Sequence, residues 1–382
     1  MSPSLSSDDA RALLALLGPH VSVFAEDALR ASRADIVVRG EPELVLADLA
    51  RALDGGSTFE SVAGLSIKRD DEVRHAPDRP PITDLDSLPF PARHLLPLDR
   101  YQSAVWGKKP FTTMLTSRGC YYGCSYCPYR IGYGAKWRGR SPDNVVAEIE
   151  ECVNRYKVRE ILFRDPLFTA DKERALQICS LISERGLRVD WRCETRVDLL
   201  DEDMVRTFAQ AGCKGINFGV ESGNERILRD VGRKRIPAER LTKGFRRCRT
   251  EGIETLAFFI IGLPGETEET VAETVRLAIE LDPDTAQFTA ATPYPNTSYY
   301  HYLKKEGLLK QDWSLFTSRA PVVGTHDLDP EKLRQLISRA YRMFYFRPHY
   351  LLMRMKKLTS PHEILRASRG FRSALRYAGL SR

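Results

Sequence analysis

Between residues 111 and 292 the sequence alternates short, β-rich apolar runs with longer amphipathic segments. The apolar runs lie at 111–117, 160–165, 188–195, 215–222, 255–262 and 285–292. This alternation predicts six βα units around one parallel sheet, because parallel strands need a crossover, usually a helix, to return the chain. Six units are two short of a closed eight-stranded barrel, so we expect a partial, TIM-like (β/α)6 barrel.

Capping residues support the helices between these runs. Ser141 and Thr267 can each cap a helix N-terminus, and Gly186 and Gly212 follow helix-like segments. The crossover over 223–252 is longer, and we expect two helical pieces around Pro237.

The rest of the chain predicts three further parts. Residues 1–78 carry strand, helix and hairpin signals typical of a small Rossmann-like α/β segment, and the proline-rich stretch 79–110 indicates an extended connector. The partial barrel would occupy 111–300, and a helical extension 301–382.

Composition favours a globular protein, with 42% apolar and 29% charged residues. The sequence contains no apolar run long enough for a membrane span, and its start lacks the basic region of a secretory signal. We therefore expect a cytoplasmic protein.

The net charge of +7 is concentrated in the C-terminal tail, where residues 331–382 hold 13 Lys or Arg against Glu331 and Glu363. Aromatic, Leu and Met residues interleave with these bases. Three interpretations stay open: helices docked on the domain, peripheral contact with an anionic membrane or lipid substrate, and, least favoured, nucleic-acid binding.

Three of the eight cysteines, Cys120, Cys124 and Cys127, follow the first predicted strand with the spacing C-x3-C-x2-C. In a reducing compartment such spacing indicates metal binding, while the scattered cysteines are expected to be buried small hydrophobes. Iron–sulfur clusters normally take four thiolates, so three would leave one iron open to another ligand. A zinc site would need a fourth Cys or His nearby, and neither His94 nor His301 has that arrangement.

The stretch CYYGCSYC resembles the signature of radical SAM enzymes, with Tyr126 directly before the third cysteine. The resemblance implies a [4Fe–4S] cluster on Cys120, Cys124 and Cys127, whose open iron is chelated by S-adenosylmethionine. It also implies an external electron donor, either a reductase or a flavodoxin or ferredoxin. One electron would cleave S-adenosylmethionine to methionine and a 5′-deoxyadenosyl radical, which abstracts a substrate hydrogen.

Residues at the other predicted strand ends resemble cofactor-binding elements of the same family. The resemblance implies cofactor contacts from Tyr126, Asp165, Glu194, Arg196, Glu221, Ser222, Gly262 and Pro264. Two positions depart from the family pattern, with Pro166 in place of a second acid and Asn296 in place of a glycine. Taken singly, these residues have simpler interpretations. Glu194 and Arg196 could form a surface ion pair with each other, and Asp165 could simply end its strand.

Residues 10–100 resemble the end of the cobalamin-binding domain of one radical SAM subgroup, without its early strands. We expect either an N-terminally shortened domain without a corrin or a protein whose true start precedes residue 1. If cobalamin binds, the resemblance implies methyl transfer to an unactivated carbon of a natural product, lipid or tetrapyrrole. Without cobalamin it implies epimerisation, oxidation, cyclisation or rearrangement. A non-catalytic iron–sulfur or nucleic-acid-binding protein is the alternative of another class, which the acids at the strand ends disfavour.

Overall fold

A computed structural model describes residues 12–55, 58–70, 72–103, 108–309, 316 and 321–356, with single positions at 368, 372, 375 and 377. The chain divides into two compact units, Met1–Thr83 with Pro128–Gly134, and Asp84–Cys127 with Ala135–Arg382. The four-part division made from the sequence stays a prediction.

The first unit contains a four-stranded sheet in the order β1-β2-β3-β4. The strands are β1 (Ala15–Leu17), β2 (Ile36–Val38), β3 (Leu65–Arg69) and β4 (Glu72–His75). β1 and β2 are parallel, whereas β3 and β4 form the antiparallel hairpin expected from the sequence. The helices are α1 (Pro19–Val23), α2 (Ala25–Arg30), α3 (Pro42–Asp54) and α4 (Tyr129–Tyr133).

The second unit contains the six-stranded sheet, and every neighbouring pair in it is parallel. Its strands are β5 (Phe111–Met114), β8 (Glu160–Phe163), β9 (Asp190–Thr195), β10 (Cys213–Glu221), β11 (Glu254–Ile261) and β12 (Thr285–Ala290), in sheet order β12-β11-β10-β9-β8-β5. A short antiparallel ribbon, β6 (Ser117–Arg118) with β7 (Arg138–Gly139), follows β5. The predicted parallel α/β fold is therefore confirmed.

Helices return the chain between these strands. They are α5 (Pro142–Asn154), α6 (Lys172–Glu184), α7 (Glu202–Gln210), α8 (Glu225–Asp230), α9 (Ala238–Thr250) and α10 (Glu268–Leu281). Ser141 and Thr267 cap α5 and α10 by accepting the backbone N–H groups of Asn144 at 3.2 Å and Thr270 at 3.4 Å. The two helices predicted around Pro237 are α8 and α9.

Successive side chains of a strand point to opposite faces of the sheet, and along β12 burial alternates strictly with this period. One face enters a large apolar core that includes Phe163, Trp191, Phe218, Phe259 and Phe288. On the other face Leu162, Glu194, Phe258, Gln287 and Thr289 are half-buried.

The C-terminal part continues with α11 (Ser298–Lys305), α12 (Pro330–Tyr345) and α13 (Pro348–Lys356). α12 buries Leu333, Ile337 and Phe344 in the apolar core, and Tyr345 donates a hydrogen bond to the backbone of Ala286 at 2.8 Å. Docking is therefore confirmed for α12, while most of residues 357–382 lie outside the described residues. Among the described residues, none of the helices combines the length and apolar character that a membrane span needs.

Candidate functional site

The three clustered cysteines lie on one loop after β6, at the carboxyl end of the first sheet strand. Cys120 is buried, Cys124 and Cys127 are half-buried, and none of the three forms a disulfide. Two hydrogen bonds fix the backbone of Ser125. Its N–H donates to the carbonyl of Val231 at 2.9 Å, and its own carbonyl accepts the N–H of Tyr299 at 2.9 Å. The loop is therefore held by residues that lie far away in the sequence.

Asp165 fixes the segment that leads into the cysteine loop. Its carboxylate is fully buried and accepts the backbone N–H of Thr116 at 2.7 Å, the hydroxyl of Thr116 at 2.5 Å and that of Ser117 at 2.6 Å. Burial raises the pKa of Asp165, and the hydrogen bonds from Ser117 and Thr116 oppose that rise. The side chain thus bonds to protein groups, and its direct contact with a cofactor stays a prediction.

Glu221, at the end of β10, lies in a buried cluster with Arg233 and Tyr126. Its backbone has a φ of 75°, a conformation unusual for a residue with a side chain, and the β10 register shifts between Gly219 and Glu221. Arg233 Nη2 stands 3.6 Å from Glu221 Oε1, and Arg233 Nη1 lies 3.8 Å from Cys124 Sγ. Burial and the Glu221 carboxylate raise the pKa of Tyr126.

Gly219 makes this cluster sterically feasible. A Cβ at residue 219 would collide with Glu221 Oε1 and lie only 2.9 Å from Arg233 Nη2. The pair therefore needs a residue without a side chain beside it.

Glu194 and Arg196 do not pair with each other, so the surface ion pair proposed for them is wrong. Glu194 binds Arg164 at 2.5 Å, and burial raises the pKa of Glu194. Arg196 forms two bonds to Asp198, at 2.8 and 3.0 Å, and its guanidinium lies 4.5 Å from the ring centre of Tyr122, on the cysteine loop. Its Nη1 is buried without a hydrogen-bond partner among the described residues.

The turn after β11 is organised by Glu266. Gly262, with a φ of 98°, donates its N–H to Glu266 Oε2 at 2.6 Å, and Leu263 donates at 3.2 Å. Burial raises the pKa of Glu266 to about 7. Pro264 follows in the same turn, and the Ser222 hydroxyl, after β10, accepts the N–H of Asn224 at 3.2 Å.

Sequence reasoning missed Arg233, Glu266 and the stacking role of Tyr122. Arg233 lies in the stretch GRKR, which has the appearance of a solvated basic segment. Glu266 lies in the stretch GLPGET, four residues after Gly262, and that position was the available signal.

The donor chemistry of the cysteine loop fits an iron–sulfur cluster. In the part of the chain that the structure describes, no three His, Cys, Asp or Glu side chains lie close enough together for a single metal ion. Thiols are the ligands that an iron–sulfur cluster takes, and Cys120, Cys124 and Cys127 would hold such a cluster from one loop. A cation at Arg233 also suits an anionic thiolate cluster.

The described residues of the first unit do not by themselves fit a corrin ring. Doubly wound α/β sheets bind ligands in a crevice at the carboxyl ends of several parallel strands. Within 12–83 the structure describes one parallel pair, β1 with β2, of three residues each.

Comparisons with known proteins place the chain in a family. The model of the radical SAM superfamily matches residues 114–278. Uncharacterized methyltransferase PH0819 of Pyrococcus horikoshii is 37% identical over 337 residues, covering 88% of this chain and 72% of the relative. The chain belongs to the radical SAM superfamily. Members of this superfamily use a [4Fe–4S] cluster and S-adenosylmethionine.

Two further similarities concern a cyclase and a methyltransferase. The anaerobic magnesium-protoporphyrin IX monomethyl ester cyclase of Cereibacter sphaeroides is 30% identical over 88% of this chain, which spans 55% of the cyclase. The methyltransferase TsrM of Kitasatospora setae, solved with cobalamin and a [4Fe–4S] cluster, superposes with a TM-score of 0.70 at 19% identity. That alignment covers 88% of this chain and 72% of TsrM, and it shows the shared fold.

Proposed function

We propose that this radical SAM protein holds a [4Fe–4S] cluster on Cys120, Cys124 and Cys127 and catalyses methyl transfer to a small-molecule or lipid substrate. The observation that carries the proposal is the pinned loop with three thiols at the carboxyl end of β5. When bound, the cluster supplies the electron that cleaves S-adenosylmethionine to the 5′-deoxyadenosyl radical.

The chain's own residues would hold and orient the cofactor. Asp165 keeps the entry to the loop in place, and Arg196 supports the loop through its stack on Tyr122. Glu221 and Ser222, at the end of β10, are proposed to contact the polar groups of S-adenosylmethionine. The backbone of Gly262 and Pro264 is proposed to lie against adenine, in a turn that Glu266 holds rigid.

Glu194 and Tyr126 complete the proposed set. Glu194 lies on the half-buried face of β9 with Arg164 as its partner, so it can present a carboxylate oxygen without leaving a buried charge unpaired. Tyr126 stays protonated, since burial and Glu221 raise its pKa, and it can therefore donate a hydrogen bond near the cluster.

The similarity to PH0819, whose name includes methyltransferase, supports methyl transfer as the reaction. The cyclase similarity supports a second candidate, an oxidative cyclisation of a tetrapyrrole-like substrate. An external flavodoxin, ferredoxin or reductase would supply electrons in either case.

The decisive experiment is anaerobic. The protein is reconstituted with iron and sulfide, reduced, and incubated with S-adenosylmethionine that carries a deuterated methyl group. We expect 5′-deoxyadenosine, and a deuterated methyl group in a product when cell extract supplies the substrate. An intact cluster that yields no 5′-deoxyadenosine would contradict the enzyme proposal and favour the non-catalytic alternative. Radical cleavage without methyl transfer would favour the cyclase.

Cobalamin is tested separately. The methyl transfer that the resemblance implies depends on bound cobalamin. One hydroxocobalamin retained per chain after desalting, read from the visible spectrum, would support methyl transfer, and complete loss of the cobalamin would contradict it.

A peripheral membrane contact through α13 is also proposed, for a cytoplasmic protein. Leu352 and Met355 are 58% and 64% exposed, and the exposed base Lys356 lies next to Met355, whereas Arg354 donates to Tyr350 and to the Asp284 backbone. Exposed apolar residues interleaved with bases favour anionic lipid surfaces. Sedimentation with anionic phosphatidylglycerol vesicles should fall in Leu352→Glu, and unchanged sedimentation would refute the contact.

A further inference from the structure

Arg233 places a buried positive charge next to one of the three thiols. Its side chain is 11% exposed, its Nη1 donates to Cys124 Sγ at 3.8 Å, and its Nη2 donates to Gly219 O at 2.5 Å. The backbone is also fixed, because Arg233 N donates to Leu228 O at 2.8 Å after the left-handed Gly232 that follows α8. The guanidinium is therefore held in place from both ends.

The charge on Arg233 is permanent, and the guanidinium forms a buried ion pair with Glu221. Burial alone would lower the pKa of Arg233, but the Glu221 carboxylate raises the pKa above its ordinary value. Glu221 Oε1 nevertheless stands 3.6 Å from Nη2, beyond hydrogen-bond range. One N–H of the fork remains directed at sulfur.

A hydrogen bond from a cation to a ligand sulfur changes the reduction potential of an iron–sulfur cluster. Reduction adds one negative charge to an iron–sulfur cluster, and hydrogen bonds to its sulfurs help to set its reduction potential. A fixed cation that donates to a ligand sulfur stabilises the reduced state relative to the oxidised state.

We infer that Arg233 is a positioning residue that raises the reduction potential of the cluster through its N–H bond to Cys124 Sγ. This inference rests on the proposed function, namely that the three cysteines hold a [4Fe–4S] cluster. In the step concerned, one electron passes from a flavodoxin- or ferredoxin-type donor to the oxidised cluster, and no covalent bond forms or breaks. The residue thereby eases the electron uptake that must precede cofactor cleavage.

The test is a redox titration of the anaerobically reconstituted full chain, followed by EPR, with titanium(III) citrate as reductant and without S-adenosylmethionine. It compares the wild type with R233Q, R233K and R235Q. Arg235 is the matched control, because it carries the same charge two residues away but is 53% exposed and pairs with Glu225 at 3.1 Å. R235Q thus changes the net charge equally and keeps the contact to sulfur.

We expect R233Q to lower the ratio of reduced to oxidised cluster at a fixed ambient potential about tenfold, which is ~59 mV for one electron. R233K should show a smaller loss, about threefold, because it keeps the charge but lacks the rigid fork. R235Q should change the ratio less than twofold, since exposed charges are screened.

A wild-type potential in R233Q would overturn the inference, and so would an equal shift in R235Q. If R233Q does not bind a cluster, the reduction potential of R233K is compared with that of the wild type instead. If neither variant binds a cluster, Arg233 has a structural role and the inference is overturned. A wild-type protein without a reducible cluster would instead contradict the proposed function. The two failures are therefore distinguishable.

Discussion

Replacing Glu266 with Gln tests the electrostatics of the turn after β11. The Glu266 side chain is fully buried, and its Oε2 holds the N–H groups of Gly262 and Leu263. Its Oε1 has no hydrogen-bond partner among the described residues. Burial therefore raises the pKa of Glu266 to about 7, although the two backbone hydrogen bonds oppose the rise.

The magnitude follows from the linkage between protonation and folding. In the folded protein the pKa of Glu266 is about 7, above the ordinary glutamate value of 4.5. Because one pKa unit corresponds to ~1.4 kcal/mol, this difference in pKa amounts to ~3 kcal/mol in the free energy of unfolding. The folded state holds the proton more tightly. The stabilising contribution is therefore complete below pH 4.5 and is lost as the pH rises through about 7.

Gln cannot ionise, so E266Q should not lose stability at this site as the pH rises. Its amide can leave an unpaired donor where Oε1 stood, at a cost of ~1–3 kcal/mol, but that cost does not depend on pH. Relative to the wild type, E266Q should therefore gain ~3 kcal/mol in the free energy of unfolding between about pH 4.5 and about pH 8.

Urea unfolding of the reduced protein at a series of pH values measures this difference, with the fluorescence of the buried Trp191 as one signal. Glu280→Gln is the matched control, since Glu280 is exposed near the end of α10. A stability difference between E266Q and the wild type that stays constant across this pH range would refute the reasoning, as would an equal pH-dependent gain in E280Q.

Three further substitutions follow from the contacts of the site. Cys124→Ala should abolish the brown chromophore and S-adenosylmethionine cleavage together. Cys152→Ala, which changes a buried residue of α5, should keep the chromophore and the cleavage activity. If C124A retained the chromophore and the activity, the ligand assignment would be contradicted. Asp165→Ala leaves a buried backbone N–H unpaired, so the free energy of unfolding should fall by ~2 kcal/mol, with less iron after reconstitution. An unchanged iron content would show that the loop does not depend on this carboxylate. Gly219→Ala forces a methyl group into the neighbouring ion pair and should cost ~1–3 kcal/mol in urea unfolding. An unshifted midpoint would contradict that clash.

Much of the fold could be predicted because its signals are local. The six strands and the helix caps at Ser141 and Thr267 follow from short-range periodicity and capping chemistry, which act over a few residues. The cysteine spacing is equally local, and its place after the first strand follows from topology.

The partners of the charged residues could not be predicted in this way. Glu194 and Arg196 are two residues apart in sequence, yet Glu194 binds Arg164 and Arg196 binds Asp198. β9 ends at Thr195, so Arg196 lies in the turn that follows the strand and no longer shares the strand geometry of Glu194. Arg233 reaches Cys124 across 109 positions of sequence, a pairing that no local pattern encodes.

The sequence by itself determined the parallel α/β architecture and the close spacing of three cysteines after the first strand, since periodicity and spacing are properties of neighbouring residues. Only the tertiary structure decided that Asp165 braces the cysteine loop, that Glu266 holds the turn after β11, and that Arg233 faces a thiol. The energies of buried charges depend on distance and desolvation, and folding alone sets both.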